Sequence, residues 1–237
     1  MSYKDCKVLG IVGIRAGSKG LPNKNIKNLL DKPLVAWILE CTKSSNYINR
    51  LIVSTDSERY AEIVKEYGAE VPYLRPKELA SDFSPEVDFV KHMLSWLEDN
   101  ENYKPDLIVR MLATSPLQKS ADIDSAIKML LQDKKADSAV IISEMRQHPL
   151  KALKIIEDEH GSRLVSYFGD SGREVTPIAR QNYEKAYVRS NVIICRREVI
   201  ERTDSLTGDN VRYHIIPQEG AIDIDSELDF EIAEILL

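Results

Sequence analysis

Two short stretches of this chain carry residues that could do chemistry. The first is "VLGIVGIRAGSKGLPNKN", Val8 to Asn25, where an apolar run breaks into a loop holding Arg15, Lys19 and Lys24 among Gly13, Gly17 and Gly20. Glycines let backbone N–H groups approach an anion, and three cations could neutralise several phosphate charges. The loop is not a Walker A motif, because Gly17-Ser18-Lys19-Gly20 lacks a Ser or Thr after the lysine. Nor does it hold the glycine pair of a GxGxxG fingerprint. Its position, beyond the carboxyl end of a first strand, is where open α/β sheets bind ligands. The same residues also suit a solvated loop whose cations keep the edge soluble. The second stretch, "AIDIDSELD", places Asp223 and Asp225 two residues apart, on one face if the segment is a strand. Two such carboxylates repel unless a cation lies near them, which suits Mg²⁺ beside phosphate oxygens. The competing reading is a helix start: Ser226 and Asp229 have capping-box spacing, which accounts for Asp229 but does not require Asp223.

The elements that must position these residues follow from periodicity. Val8 to Ile14, Arg50 to Asp56, Pro105 to Leu112 and Ser138 to Ser143 read as strands. They alternate with helical patterns starting at Leu34, at Ser57, at Val87 and after the loop that begins at Thr114. The helix after Ser57 ends at Gly68 and leads into a short strand, and "VDFVKHMLSWLED" sets Val87, Val90, Leu94 and Leu97 on one face. This βαβα rhythm predicts a mainly parallel sheet between helices. It fails between about 144 and 187, where "LKIIEDEHGSRLVSYF" reads as a hairpin turning at Glu157 to Gly161. A hairpin with no cover is marginal, so it folds back or pairs with another subunit. "YVRSNVIICRREVI" then predicts a strand and short helix, "RYHIIP" and "GAIDID" two more strands, and "SELDFEIAEILL" a closing helix.

Composition narrows the classes. The 237 residues, with 43% hydrophobic and 30% charged, suffice for a substantial core. A net charge of -6 is a poor match to nucleic acid. No apolar run is long enough to span a bilayer, and the N-terminus does not read as a secretory signal, so neither membrane nor secretion is expected. Three widely spaced cysteines, Cys6, Cys41 and Cys195, point to reduced thiols and a cytoplasmic location. There is no CxxC, HxxxH or HExxH zinc pattern.

Taken together, "RAGSKGLPNKNI", "VSTD", "LRPKELASD", "TSPLQKSADID", "HPLK" and "AIDIDSELDF" make the chain resemble the bacterial N-acylneuraminate (CMP-sialic acid) cytidylyltransferases. The resemblance runs from Val8 to Leu237 and extends to cytidylyltransferases that activate other eight- and nine-carbon 2-keto sugar acids. It implies a single Rossmann-like domain over 1–237, of the nucleotide-diphospho-sugar transferase fold, with an inserted dimerisation arm at about 144–187 and a homodimer. It also implies CMP transfer from CTP to the sugar acid with release of pyrophosphate, using Mg²⁺, with Mn²⁺ as a substitute. Position by position, Arg15, Ser18, Lys19 and Lys24 match the triphosphate loop, and Asn25 a residue near the ribose or base. Arg75 matches the arginine that reads cytosine, with backbone near Ser84 assisting. Lys151 and Arg180 match residues on the sugar side, Arg180 also in the active site, and Asp223 and Asp225 the metal pair. Lys24, Arg180 and Asp225 are thus the catalytic set. His92, His148, His160 and His214 read as structural or surface residues, with His148 nearest the sugar-side motif. Two departures fall on the acceptor side. Leu112 stands where the resembled enzymes carry a sugar-contacting glutamine, and Ser190-Asn191 replaces a usual Asn-Gly. A lost polar contact can change discrimination by orders of magnitude. Pseudaminate, legionaminate, a 3-deoxy-octulosonate or a phosphonate therefore stay open as acceptors, as does a nucleotide-binding homologue without turnover.

Overall fold

A computed structural model describes residues 6–17, 20–159, 161–168 and 182–237. Six strands form the main sheet: β1 (Val8–Gly13), β4 (Arg50–Ser54), β5 (Leu107–Leu112), β6 (Ser138–Glu144), β9 (Tyr187–Arg196) and β10 (Val211–Ile216). Their order is β10-β6-β9-β5-β1-β4. β1 runs parallel to β4 and β5, and β6 parallel to β10, while β9 lies antiparallel between β5 and β6. The sheet is therefore mainly parallel, with one reversed strand that returns from the excursion after β6.

Along β1 the side chains alternate between faces. Val8 and Val12 join the core beneath α1 (Leu34–Lys43), α2 (Glu58–Glu66) and α4 (Ser120–Gln132). Leu9 and Ile11 join the opposite core, beneath α3 (Glu86–Glu101) and α5 (Arg197–Thr203). Burial on both faces explains why these strands are almost uniformly apolar. The predicted stripe on α3 holds, since Val90, Leu94 and Leu97 are buried and Val87 packs at the margin. The short strand expected after Gly68 is reduced to one bridge, between Ile52 and Glu70.

Two smaller ladders leave the main sheet. β2 (Asn28–Leu29) pairs with β3 (Lys32–Pro33) just after the cationic loop. β7 (Leu153–Asp158) and β8 (Gly161–Ser166) form the expected hairpin, closed by the Asp158–Gly161 pair, with Ile155 and Leu164 exposed. The "GAIDID" segment departs from expectation. A 3₁₀ turn covers Gln218–Ala221, and residues 222–225 run extended without joining a sheet. Buried Ile224 between exposed Asp223 and Asp225 produces the alternation of a strand. The segment is pinned instead by a bond from Ile224 N to Thr114 O at 2.9 Å. α6 (Glu227–Leu236) then opens with the predicted capping box, formed reciprocally by Ser226 and Asp229.

Candidate active site

A cavity of about 510 Å³ opens at the carboxyl ends of β1 and β5. Gly13 and Leu112, the last residues of those strands, both line it. From the first loop come Arg15, Gly20, Lys24 and Asn25, and from the far end of the chain Asp225. The loop and the acidic segment, 201 residues apart, meet directly. Lys24 Nζ donates to Asp225 Oδ1 at 2.9 Å and to the backbone oxygen of Ile224. A Cβ at Gly20 would lie 3.0 Å from the backbone oxygen of Asp225, so the loop needs glycine for this close approach.

The loop is held in shape locally. Lys24 begins a 3₁₀ turn, Lys24–Ile26, behind Asn23, whose left-handed φ of 55° suits asparagine and whose Oδ1 accepts from Tyr60 Oη at 3.2 Å. Asn25 is buried, and its Nδ2 donates to Arg15 O at 3.2 Å, tying the turn to the strand end. Arg15 reaches across to the "LRPKELASD" segment. It bonds Ala80 O at 3.3 Å and pairs with Asp82 at 2.5 Å. Any anion bound here shares Arg15 with Asp82 and Lys24 with Asp225.

Arg75 forms the other end of the cavity. Its guanidinium sits over the Phe89 ring at 4.2 Å, with Nε donating to Ser54 Oγ at 2.9 Å and Nη2 to Ser54 O at 2.7 Å. Burial pulls its pKa down to about 10, with Asp56 opposing, so the group stays cationic at neutral pH. Ser84 also lines the cavity, but its hydroxyl is spent on Glu78 O at 2.6 Å and faces Ser81 Oγ at 2.7 Å.

The remaining predicted residues are placed differently. Asp223 does not line this cavity. It faces a neighbouring groove with Glu144, Arg146 and Asp229, and its Oδ1 accepts from Asn191 Nδ2 at 2.8 Å. Lys151 sits in a 3₁₀ turn, Pro149–Lys151, at the foot of the hairpin, exposed and outside the cavity. Ser18, Lys19, Arg180 and His160 lie outside the described residues. His148 holds the foot of the hairpin together. Its Nδ1 accepts from Leu150 N–H and its Nε2 lies 2.9 Å from Glu184 O, which assigns the proton to Nε2. With both ring nitrogens on backbone and the ring stacked on Tyr183, it is a structural residue. His92 and His214 pair with Tyr73 and Asp122.

Sequence reading assigned no role to three residues in or beside the wall. Asn191 Nδ2 lies within hydrogen-bond range of Thr114 Oγ1, Ser115 Oγ and Asp223, so it links β9 to both flanks of the site. Glu86 lines the cavity and pairs with Arg110. Asp82 holds Arg15. Asn191 enters the sequence analysis only within the Ser190-Asn191 departure, and Glu86 lies just before the helix expected from Val87. Their partners lie tens of residues away, so spacing carried no signal of the contacts.

Among the described residues no cluster of three or more His, Cys, Asp or Glu is arranged to hold a metal, and no helix is long and apolar enough to cross a membrane. One or two carboxylates completed by substrate phosphates are the usual set for Mg²⁺, so Asp225, the member of the pair that lines the cavity, fits that ion, while Asp223 is held by Asn191 in the neighbouring groove.

A family profile described as "Cytidylyltransferase" matches residues 9–206. The chain is 32% identical to the post-translational flagellin modification protein B of Campylobacter coli, over 98% of this chain and 95% of that protein. It is 31% identical to the N-acylneuraminate cytidylyltransferase of Escherichia coli O18:K1:H7, over 96% of this chain but 51% of that protein, so it spans about half of that relative. Among solved structures, a CMP:2-keto-3-deoxy-manno-octonic acid synthetase complexed with CTP superposes with a TM-score of 0.69, covering 97% of this chain and 98% of that one at 14% identity. At that identity the likeness speaks to the fold.

Proposed function

The chain belongs to the cytidylyltransferase family of nucleotidyltransferases, and from that premise we propose that it transfers CMP from CTP to the anomeric hydroxyl of a 2-keto-3-deoxy sugar acid, a sialic acid or related nonulosonate, releasing pyrophosphate. The observation that carries this reading is the contact of Lys24 with Asp225, which brings the cationic loop and the acidic segment into the cavity that also holds Arg75.

CTP carries about four negative charges and the sugar acid one, so catalysis here is chiefly a matter of offsetting repulsion and aligning the groups. Arg15 and Lys24, with Ser18 and Lys19, take the triphosphate, and Asn25 sits beside the ribose. Arg75 and the backbone near Ser84 receive the cytosine. Asp225 and Asp223 would hold Mg²⁺ or Mn²⁺, which when bound supplies positive charge to the phosphoryl oxygens. The acceptor hydroxyl attacks the α-phosphorus in line with the leaving pyrophosphate, and Asp225, which lines the cavity, would either hold the metal that lowers the hydroxyl's pKa or accept its proton. By the resemblance, Lys151 and Arg180 are the residues expected to contact the sugar acid, although Lys151 stands outside this cavity, and apolar Leu112, which lines it, suits a deoxy position or an acyl group in place of a hydroxyl. We assign the hairpin, with Ile155, Leu164, Tyr167 and Phe168 exposed, to contact with a second copy of the chain. A cytoplasmic location accords with three cysteines that form no disulfide among the described residues.

A coupled pyrophosphate assay over a panel of nonulosonic and octulosonic acids tests the reading. Release should require CTP, Mg²⁺ and acceptor together. No turnover with any acid of the panel would refute the sugar-acid acceptor and leave a different acceptor or a nucleotide-binding homologue.

A further inference from the structure

One carboxylate in the cavity is unexplained by phosphate binding. Glu86 follows Ser84 and Pro85 as the first residue of α3, and its side chain is 44% exposed. Its Oε2 lies 3.1 Å from Arg110 Nη2. Arg110, on β5, is 5% exposed, and its Nη1 donates to Asn191 O at 3.1 Å. Burial lowers the pKa of this guanidinium, and the Glu86 charge is the strongest influence in the other direction. The carboxylate is thus gripped from behind by a buried cation that is itself tied to β9, with its outer edge toward the cavity.

An acid in the first turn of a helix is favourable on its own account. Yet Asp88 also occupies that turn and does not line the cavity. Of the other charged residues of the wall, Arg15 and Lys24 are paired with Asp82 and Asp225 and Arg75 stands over Phe89. These three cations suit a polyanion, whereas Glu86, whose partner Arg110 does not line the cavity, suits a part of the ligand that donates N–H or O–H. Its place says which part. Glu86 and Phe89 stand at positions i and i+3 of α3, on one side of the helix, and Phe89 carries the Arg75 guanidinium at 4.2 Å. The carboxylate therefore shares a side of α3 with the ring that carries Arg75. Cytosine and uracil differ at position 4, where cytosine presents an amino donor and uracil a carbonyl acceptor.

We propose that Glu86 accepts a hydrogen bond from the 4-amino group of cytosine and sets the preference for CTP over UTP. The inference rests on the CTP reading above. With UTP the carboxylate meets another acceptor, and the pair is repulsive. Arg110 is a positioning residue that holds Glu86 in place.

The test is Glu86→Gln, which keeps the length of the side chain and an oxygen for Arg110 while adding an N–H₂ that can face uracil. The ratio of kcat/KM for CTP over UTP should fall by about tenfold or more, since base-edge contacts discriminate by roughly 1–3 kcal/mol. Calorimetric titration of each nucleotide without acceptor should show the same convergence in the folded variant. If the variant does not fold, Glu86→Asp keeps the charge but withdraws it by one methylene, and should lose CTP affinity more than UTP affinity. An unchanged ratio in a folded variant, or equal losses with both nucleotides, overturns the inference and leaves the transferase reading intact. A wild-type enzyme that uses UTP as well as CTP also overturns it. A wild-type chain that binds neither nucleotide defeats the transferase reading and the inference together.

Discussion

Replacing Lys24 with methionine removes one ammonium and keeps a flexible chain of similar length. Lys24 is 12% exposed at its side chain and Asp225 78% exposed, so their 2.9 Å pair is largely open to water on one side. Such a half-exposed pair contributes at most about 1 kcal/mol. The bond to Ile224 O is better shielded, and a charged hydrogen bond to backbone contributes about 1.5–3 kcal/mol. The combined loss is about 2–3 kcal/mol after partial relaxation. For a chain of 237 residues this lowers Tm by roughly 5–10 °C. The effect on chemistry should be larger, because removing one preorganised donor from developing charge costs about 10²–10³ in kcat. The two readouts are a thermal melt and pyrophosphate release at saturating CTP and acceptor. A Tm loss of the expected size with kcat within about threefold of wild type would show that Lys24 is a clamp between chain segments and nothing more. A variant unchanged in both measurements would refute the clamp as well.

Two further outcomes follow from the geometry. A Cβ at Gly13 would lie 2.8 Å from Phe89 Cζ and 3.4 Å from Arg75 Nη2, so Gly13→Ala should force the ring and guanidinium apart. We expect overpacking of about 1–3 kcal/mol and weaker CTP binding by calorimetry, and unchanged affinity would count against Arg75 as part of the base site. Asp137 accepts backbone N–H bonds from Asn210 and Asp209, both at 2.9 Å, and these, with Arg202, hold its pKa below the usual carboxylate value. A depressed folded pKa contributes stability above the unfolded value and loses it as pH falls through the folded one. Asp137→Asn should therefore flatten the acid limb of urea midpoints below about pH 4, and an unaltered limb would contradict this.

Local features of this chain were legible because they depend on neighbours in sequence. The apolar run of β1, the stripe of α3, the turn of the hairpin and the Ser226–Asp229 capping box arise from periods of two or about four residues, and each appears where its pattern lies. The same logic misread "GAIDID" as a strand. Alternating burial is a property of the segment, whereas a ladder needs a free edge beside it, and here one backbone bond to Thr114 O and side-chain bonds from Lys24 and Asn191 take its place. The cationic loop and the acidic pair could each be marked as candidates from residue type alone, but their meeting could not. Lys24 reaches Asp225, Arg15 reaches Asp82, Glu86 reaches Arg110 and Asn191 reaches Asp223 only because β1 and β5 lie side by side and β9 is reversed beside β5. Strand order is chosen by burying both sheet faces at once, a sum over the whole chain. Residue types thus determined which side chains were able to act, and the packing of the sheet decided which of them act on the same molecule.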